Sequence, residues 1–220
     1  MRTHQPALSL GLVVALFLGS VTAAARGPIT PGFLPSNARV HGISLVDFAS
    51  AYAAWAFGTS AEVNPIVAGR CERSPIDPKA WFLPVSLGGE STATCQVPPG
   101  TFLVVTPGFI ERSSIEPAPF YGADETALIG CVDDWFVELN RADVILDGTA
   151  VANLEDYALT TRTVTLPPNN LISPDSGLSL SKGYFLVIPP LSRGTHTLRL
   201  YDEFQAFGFQ AGITITIVVG

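Results

Sequence analysis

The chain has 220 residues, of which 47% are hydrophobic and only 14% are charged, with a formal net charge of −7. The excess of acidic residues argues against binding to nucleic acid or to anionic membranes, because both are negatively charged. The 18 prolines and 20 glycines indicate frequent turns, which are typical of a protein built mainly from short strands.

The N-terminal segment has the three parts of a secretory signal peptide. Arg2 gives a positive start, residues 8–21 form an apolar run, and Ala23–Ala25 offers a cleavage site of small residues. The run is shorter than the roughly 20 residues that a membrane-spanning helix needs. We therefore predict that residues 1–25 are a cleaved signal peptide. The remaining protein is then secreted or extracytoplasmic, in the cell envelope, and has no membrane span.

The rest of the chain divides into a short arm and one domain. Residues 26–43 are rich in proline and glycine and predict an extended arm or linker, and residues 44–220 are long enough for a single domain. Ser44 can cap a first helix near residues 44–57. Its apolar residues recur at helical spacing, so we expect them in the core. These residues are Leu45, Phe48, Tyr52, Trp55 and Ala56.

Three cysteines follow the signal peptide. Cys71 and Cys95 bracket a 24-residue loop. A disulfide between them suits an exported protein, and it would stabilise the fold by roughly 3–4 kcal/mol in the chain-entropy model. Cys131 remains unpaired. It is either a small buried apolar residue on a helix or the site of an intermolecular bridge.

The second half of the chain is mainly β in pattern, with one further helix. Asp124 can cap an amphipathic helix near residues 124–139. Asp147-Gly148 is a strong two-residue hairpin signal. The predicted fold is therefore mainly β: an antiparallel β-sandwich, Ig-like or jelly-roll-like, with two accessory helices. The strands are predicted at residues 81–85, 101–106, 142–146, 160–166, 184–188, 195–201 and 213–218.

Several short motifs resemble a set of uncharacterised secreted proteins, mostly bacterial. The resemblance rests on Trp81–Gly100 (WFLPVSLGGESTATCQVPPG), Glu111–Gly122 (ERSSIEPAPFYG) and Pro190–Leu198 (PLSRGTHTL). It implies export and a mainly β fold, and it implies no activity. Members of this set carry another cysteine in the loop before the second helix, where this chain reads Glu111–Ser114 (ERSS). A second disulfide with Cys131 is therefore not expected here.

Catalytic and cofactor motifs are few. The chain has no G-x-S-x-G elbow, no H-E-x-x-H and no C-x-x-C, and it shows no nucleotide, flavin or haem signature. We therefore predict no catalytic residue, no metal ligand and no cofactor. His196 is in phase with the apolar residues of its strand, so we expect it to point inward and to bridge a loop backbone. His41 lies in the proline- and glycine-rich arm, which is a poor place to hold a base.

One pair of carboxylates allows an enzymatic alternative. Glu111 and Glu116 lie in one irregular loop, and a glycoside hydrolase needs two carboxylates about 5–9.5 Å apart. Such an enzyme would also need a cleft, for which Trp81, Phe120 and Tyr121 are the candidate lining residues. The same five residues are the candidate binding residues if the protein only binds.

The interpretation we favour is an exported binding or interaction module without catalytic activity. Its exposed loops and aromatic rings could bind a glycan, and an exposed edge strand could instead pair with an envelope protein. Two alternatives remain: a structural envelope or matrix protein, and the secreted carboxylate-dependent glycoside hydrolase. Exposed aromatic rings would favour a glycan ligand, whereas buried rings would favour a structural role.

Overall fold

The computed structural model describes residues 32–220. The predicted signal peptide and the first part of the predicted arm lie outside the described residues. The described protein is mainly β with two helices, and its sheets do not close into a barrel. The predicted β-sandwich with two helices is confirmed.

The helices are α1 (Leu45–Phe57) and α2 (Glu125–Phe136). The strands are β1 (Arg39–Val40), β2 (Ile43–Ser44), β3 (Glu72–Arg73), β4 (Ala80–Phe82), β5 (Gly89–Val97), β6 (Phe102–Val105), β7 (Ile110–Ser113), β8 (Arg141–Leu146), β9 (Thr149–Ala150), β10 (Ala158–Thr160), β11 (Val164–Leu166), β12 (Gly177–Tyr184), β13 (Leu186–Ile188), β14 (Gly194–Phe204) and β15 (Phe209–Val219).

The largest sheet has five strands in the order β5-β15-β14-β8-β9. Its centre is the long antiparallel pair of β14 and β15. Ile213, Ile215 and Ile217 are buried, and Thr214 and Thr216 between them are more exposed, as a strand with one buried face requires. Asp147 and Gly148 both have positive φ and join β8 to β9, so the predicted two-residue hairpin is confirmed.

Two smaller sheets complete the sandwich. One has the order β13-β6-β4-β3, and in the other β12 pairs with β7, β10 and β11. The buried residues of the five-stranded sheet form one apolar cluster with those of the smaller sheets and α1. Two strand pairs, β5 with β15 and β4 with β6, are parallel. The sandwich is therefore not purely antiparallel. Long connections separate the two strands of each parallel pair, as parallel pairing requires.

The predicted strand at residues 160–166 is wrong as one continuous element. The structure divides this stretch into β10 and β11, which pair with the same strand β12, and residues 161–163 lie outside both strands. The register on β12 shifts by one residue between the two segments, which is the signature of a β-bulge. The predicted strand at residues 184–188 is also divided, between the end of β12 and β13.

Both helices begin at the predicted caps. The Ser44 side chain accepts a hydrogen bond from the backbone N–H of Asp47, and the Asp124 side chain accepts one from that of Ala127. The apolar stripe of α1 lies in the core, and the buried Tyr52 hydroxyl donates to the Leu83 carbonyl at 2.8 Å. No helix within residues 32–220 is both long and apolar enough to span a membrane.

The described part of the predicted arm packs against the domain. Phe33 is buried, and the Leu34 N–H donates to the Val187 carbonyl at 2.9 Å. His41 Nδ1 lies 2.7 Å from an Asp77 carboxylate oxygen. This segment, with the hairpin of β1 and β2, therefore packs against β13 and the start of α1.

Candidate functional site

The candidate site is formed by β7, the loop that follows it, and α2. A small apolar cluster of Leu128, Val132 and Leu180 holds α2 against β12. Lys182 on β12 adds an ion pair with Asp133 on α2, with 2.6 Å between the Nζ and Oδ1 atoms. The polar groups that follow lie between this helix and the sheet.

Glu111 is a buried carboxyl group on β7, with 8% of the residue exposed. The Ser179 hydroxyl of β12 donates a hydrogen bond to its Oε1 atom at 2.5 Å. Burial, and then the nearby charge of Glu116, raise the pKa of Glu111 to about 8. This carboxyl is therefore largely protonated at neutral pH.

Glu116 is the half-buried partner of Glu111. The Ser113 hydroxyl donates to its Oε2 atom at 3.1 Å, and the two carboxyl groups are hydrogen-bonded to each other. Burial also raises the pKa of Glu116. Two carboxyls that share a proton lie closer than the 5–9.5 Å separation of glycoside hydrolases, so the pair leaves no room for a sugar ring between them.

Arg112 lies beside the carboxyl pair and between two aromatic rings. Its guanidinium carbon is 4.7 Å from the ring centroid of Phe120 and 4.7 Å from that of Trp135. Its side chain also donates to the Glu111 carbonyl. Burial lowers the pKa of Arg112, and the negative charge of Glu116 partly opposes this effect. Arg112 thus joins the buried carboxyls to the aromatic rings at the surface.

Cys131 is a free, half-buried thiol on α2. Its Sγ atom lies 3.5 Å from the Pro119 carbonyl oxygen, and it also contacts Arg112. Burial raises the pKa of the thiol, so it is mainly protonated at neutral pH. The geometry fits a packing residue, which was one of the two predicted roles. The other two cysteines form the predicted Cys71–Cys95 disulfide.

Four aromatic residues form what we call the aromatic surface: Phe120, Tyr121, Trp135 and Phe207. The Trp135 ring centroid is 5.0 Å from that of Phe120 and 4.3 Å from that of Phe207. Tyr121 is 51% exposed and Phe207 is 46% exposed. Phe207 and Arg112 contact the indole of Trp135. Phe120 and Trp135 are less exposed than Tyr121 and Phe207.

The structure gathers most of the candidate residues, but not Trp81. Glu111, Glu116 and Phe120 all lie in the cluster around Arg112, and Tyr121 forms a β-bridge with Ser113 beside them. Trp81 lies on β4, opposite Arg73 and Leu103 of the neighbouring strands, and packs on the main core.

Sequence analysis missed Arg112, Trp135, Ser179 and Phe207 as members of this site. Arg112 follows a candidate residue directly, so its position in the chain was an available signal. Trp135 lies within the predicted second helix, whose pattern indicates only an apolar face. Ser179 and Phe207 reach the site through strand pairing and through the turn after β14, which no local pattern encodes.

A second cluster resembles a catalytic triad in composition but not in geometry. His196 Nδ1 lies 2.7 Å from Asp147 Oδ2, and His196 Nε2 lies 3.0 Å from the Ser192 carbonyl oxygen. The Ser192 hydroxyl is farther away, at 3.4 Å. The hydrogen bond with Asp147 raises the pKa of His196, which favours an imidazolium that donates through both nitrogens. His196 therefore bridges a loop backbone, as predicted.

Within residues 32–220, no group of three or more His, Cys, Asp or Glu side chains is placed to hold a metal ion.

Comparisons with known proteins identify no family for this chain. No family model matches it, and no curated protein matches it. One solved structure is similar, described as "Structure of PbICP-C in complex with falcipain-2". The match has 12% sequence identity and a TM-score of 0.25, and it covers 64% of this chain and 99% of the other. A TM-score this low carries no inference for either fold or function.

Proposed function

We propose that this protein is an exported interaction module that binds a partner protein through the aromatic surface. The single observation that supports the proposal is the exposure of Phe207, which stacks on a partly covered Trp135, and of Tyr121, which follows Phe120 in the chain. Aromatic residues and arginine dominate the binding energy of protein interfaces, and Arg112 stacks on the same rings. The acidic net charge and the Cys71–Cys95 disulfide suit an extracytoplasmic protein.

A protein partner fits this surface better than a glycan does. Sugar rings stack on open, flat aromatic faces, whereas Arg112 and Phe207 already contact the indole of Trp135. Two further exposed apolar residues, Ile129 and Val137, lie on or directly after α2. Exposed apolar residues on or directly after the helix that carries Trp135 favour a protein partner.

The test uses the secreted chain immobilised at its C-terminus and exposed to extracytoplasmic extract from the source cells. We compare the wild type with Tyr121→Ser and Phe207→Ser. The matched control is Val63→Ser, which alters an exposed apolar residue in the loop after α1. A specific partner should bind the wild type and the control. Each aromatic variant should weaken binding of the purified partner more than about fivefold, since truncating a hot-spot residue costs more than about 1 kcal/mol.

A glycan array with the same four proteins separates the alternatives. Equal partner binding by all four proteins would refute the proposal. Array binding that disappears in the aromatic variants would replace the protein partner with a glycan. The absence of any partner and any glycan would leave a structural envelope role as the better explanation.

A further inference from the structure

A groove of about 350 Å³ lies on another part of the molecule. One wall is residues 156–159, which lead into and include most of β10. The opposite walls are residues 36–39 of the segment before β2, and residues 44–46 at the start of α1. The volume falls within the range of small-ligand sites in proteins.

The open edge of β10 borders this groove at Ala158, and Thr160 lies directly beyond the lining residues. The Phe185 N–H donates to the Tyr157 carbonyl, and the Thr161 N–H donates to the Ser181 carbonyl. Odd-numbered residues of this segment therefore point their backbone groups toward β12, and even-numbered residues point theirs away. The Arg162 N–H, which is even-numbered, donates to the Ser50 side chain on α1 at 2.9 Å. The outward edge is thus the side on which α1 and the groove lie.

Three backbone groups on this edge point outward ahead of Arg162. They are the Ala158 carbonyl and the N–H and carbonyl of Thr160, whereas the Ala158 N–H donates to the Glu155 carbonyl. No strand within residues 32–220 pairs with this edge of β10. A donor and an acceptor that alternate along an open strand are the groups that a second strand would satisfy.

We propose that the groove binds an extended polypeptide segment, which adds as a strand beside β10. The backbone of the segment would accept a hydrogen bond from the Thr160 N–H and donate one each to the Thr160 and Ala158 carbonyls. Its side chains would meet apolar groups on both walls, among them Leu45 and Leu159, and two exposed charges of opposite sign, Arg39 and Asp156. The preferred segment therefore has an apolar centre between an acidic and a basic residue.

This inference is independent of the aromatic surface and would stand if that proposal failed. Backbone groups give it a specific signature. In strand addition, every second residue of the bound peptide faces the edge strand and the residues between face away. Methylation of the peptide nitrogens should therefore weaken binding at alternate positions only.

The probe is an octapeptide display library selected on the folded chain, followed by fluorescence anisotropy with synthetic copies of the selected peptides. Thr160→Pro removes the outward N–H without touching the hydrogen bonds to β12, and Thr160→Val keeps the N–H and the size of the side chain. We expect about tenfold weaker binding to the proline variant and unchanged binding to the valine variant, as for the loss of one backbone hydrogen bond.

Amide hydrogen exchange of the wild type provides a measurement that needs no variant. The Thr160 amide should exchange quickly in the free protein and become protected when the peptide is bound. Failure to select any peptide, equal binding to the proline and valine variants, or an unprotected Thr160 amide would each overturn the proposal. Binding that Phe207→Ser abolishes would do the same while leaving the aromatic surface as the binding site.

Discussion

Replacing Glu111 with glutamine should change how the stability of the protein depends on pH. The substitution keeps the shape of the side chain and an oxygen that can accept the hydrogen bond from Ser179. It also supplies an N–H donor for Glu116 in place of the shared proton. The one property it removes is the titration of the Glu111 carboxyl, in a residue that is only 8% exposed.

The raised pKa of Glu111 decides whether the stability of the protein rises or falls with pH. Glu111 titrates near pH 8 in the folded protein and near pH 4.3 in an unfolded chain. Between these values the folded protein holds a proton that the unfolded chain has lost, so a rise in pH favours unfolding. The contribution of the Glu111 proton to the free energy of unfolding is fully present below about pH 4.3. It is lost as the pH rises to about 8 and does not change further above that.

The size of the effect is large relative to the total stability. A single carboxyl in this window lowers the free energy of unfolding by at most about 1.4 kcal/mol per pH unit. Sharing of the proton with Glu116 spreads the transition and reduces the slope. Between pH 5 and pH 8 we expect a loss of about 2–4 kcal/mol in the wild type that Glu111→Gln does not show, against a typical total of about 5–15 kcal/mol.

The assay is urea unfolding of the oxidised protein at half-unit steps from pH 5 to pH 8.5. Asp202 is partly buried, and desolvation raises its pKa to about 7, which adds a slope of the same sign. The difference between wild type and variant is therefore the quantity to follow. Glu138→Gln serves as a control that changes a carboxyl outside the cluster. Parallel stability curves for the wild type and Glu111→Gln would refute the assignment of a shared proton to this pair.

Three further predictions concern other parts of the molecule. Replacing Cys71 and Cys95 with serine should lower the free energy of unfolding by about 3 kcal/mol, as measured by urea unfolding, and a loss below about 1 kcal/mol would contradict this. Arg112→Lys should cost about 1–2 kcal/mol and shift the tryptophan fluorescence, because lysine lacks a planar group to stack between the two rings, and an unchanged spectrum would argue against the stack. In proton NMR, His196 should titrate above its ordinary pKa in the wild type and lower in Asp147→Asn, so the stability that this pair supplies is lost as the pH rises; equal titration in both proteins would contradict the pairing.

Sequence patterns predicted the elements that depend on local chemistry. The alternation in residues 213–217, the Asp147-Gly148 turn and the two helix caps each correspond to an element of the structure. The break within residues 160–166 was not predictable in the same way, because the alternation of threonine and other residues continues through it. The break accompanies a contact between distant parts of the chain, in which the Arg162 N–H bonds to Ser50 on α1.

The candidate site was likewise predictable only where its residues lie close together in the chain. Glu111 and Glu116 are five positions apart in one segment, so their proximity was predictable. Trp81 is an equally good candidate by residue type, but strand pairing places it in another sheet. Phe207 joins the aromatic surface from nearly 90 residues farther along the chain than Phe120, through the turn that connects β14 to β15.

The position of β15 has a consequence for the order in which the chain can fold. This strand lies between β14 and β5, and its partner residues on β5 precede it by about 120 positions. The five-stranded sheet cannot close until β15 has left the ribosome, since before that β5 has no partner strand in the sheet. Contacts this distant in sequence slow folding. A chain shortened before Phe209 would leave β5 and one edge of β14 unpaired, so it should remain unfolded and vulnerable to proteases. The five-stranded sheet is thus completed only when β15 pairs with both of its neighbours.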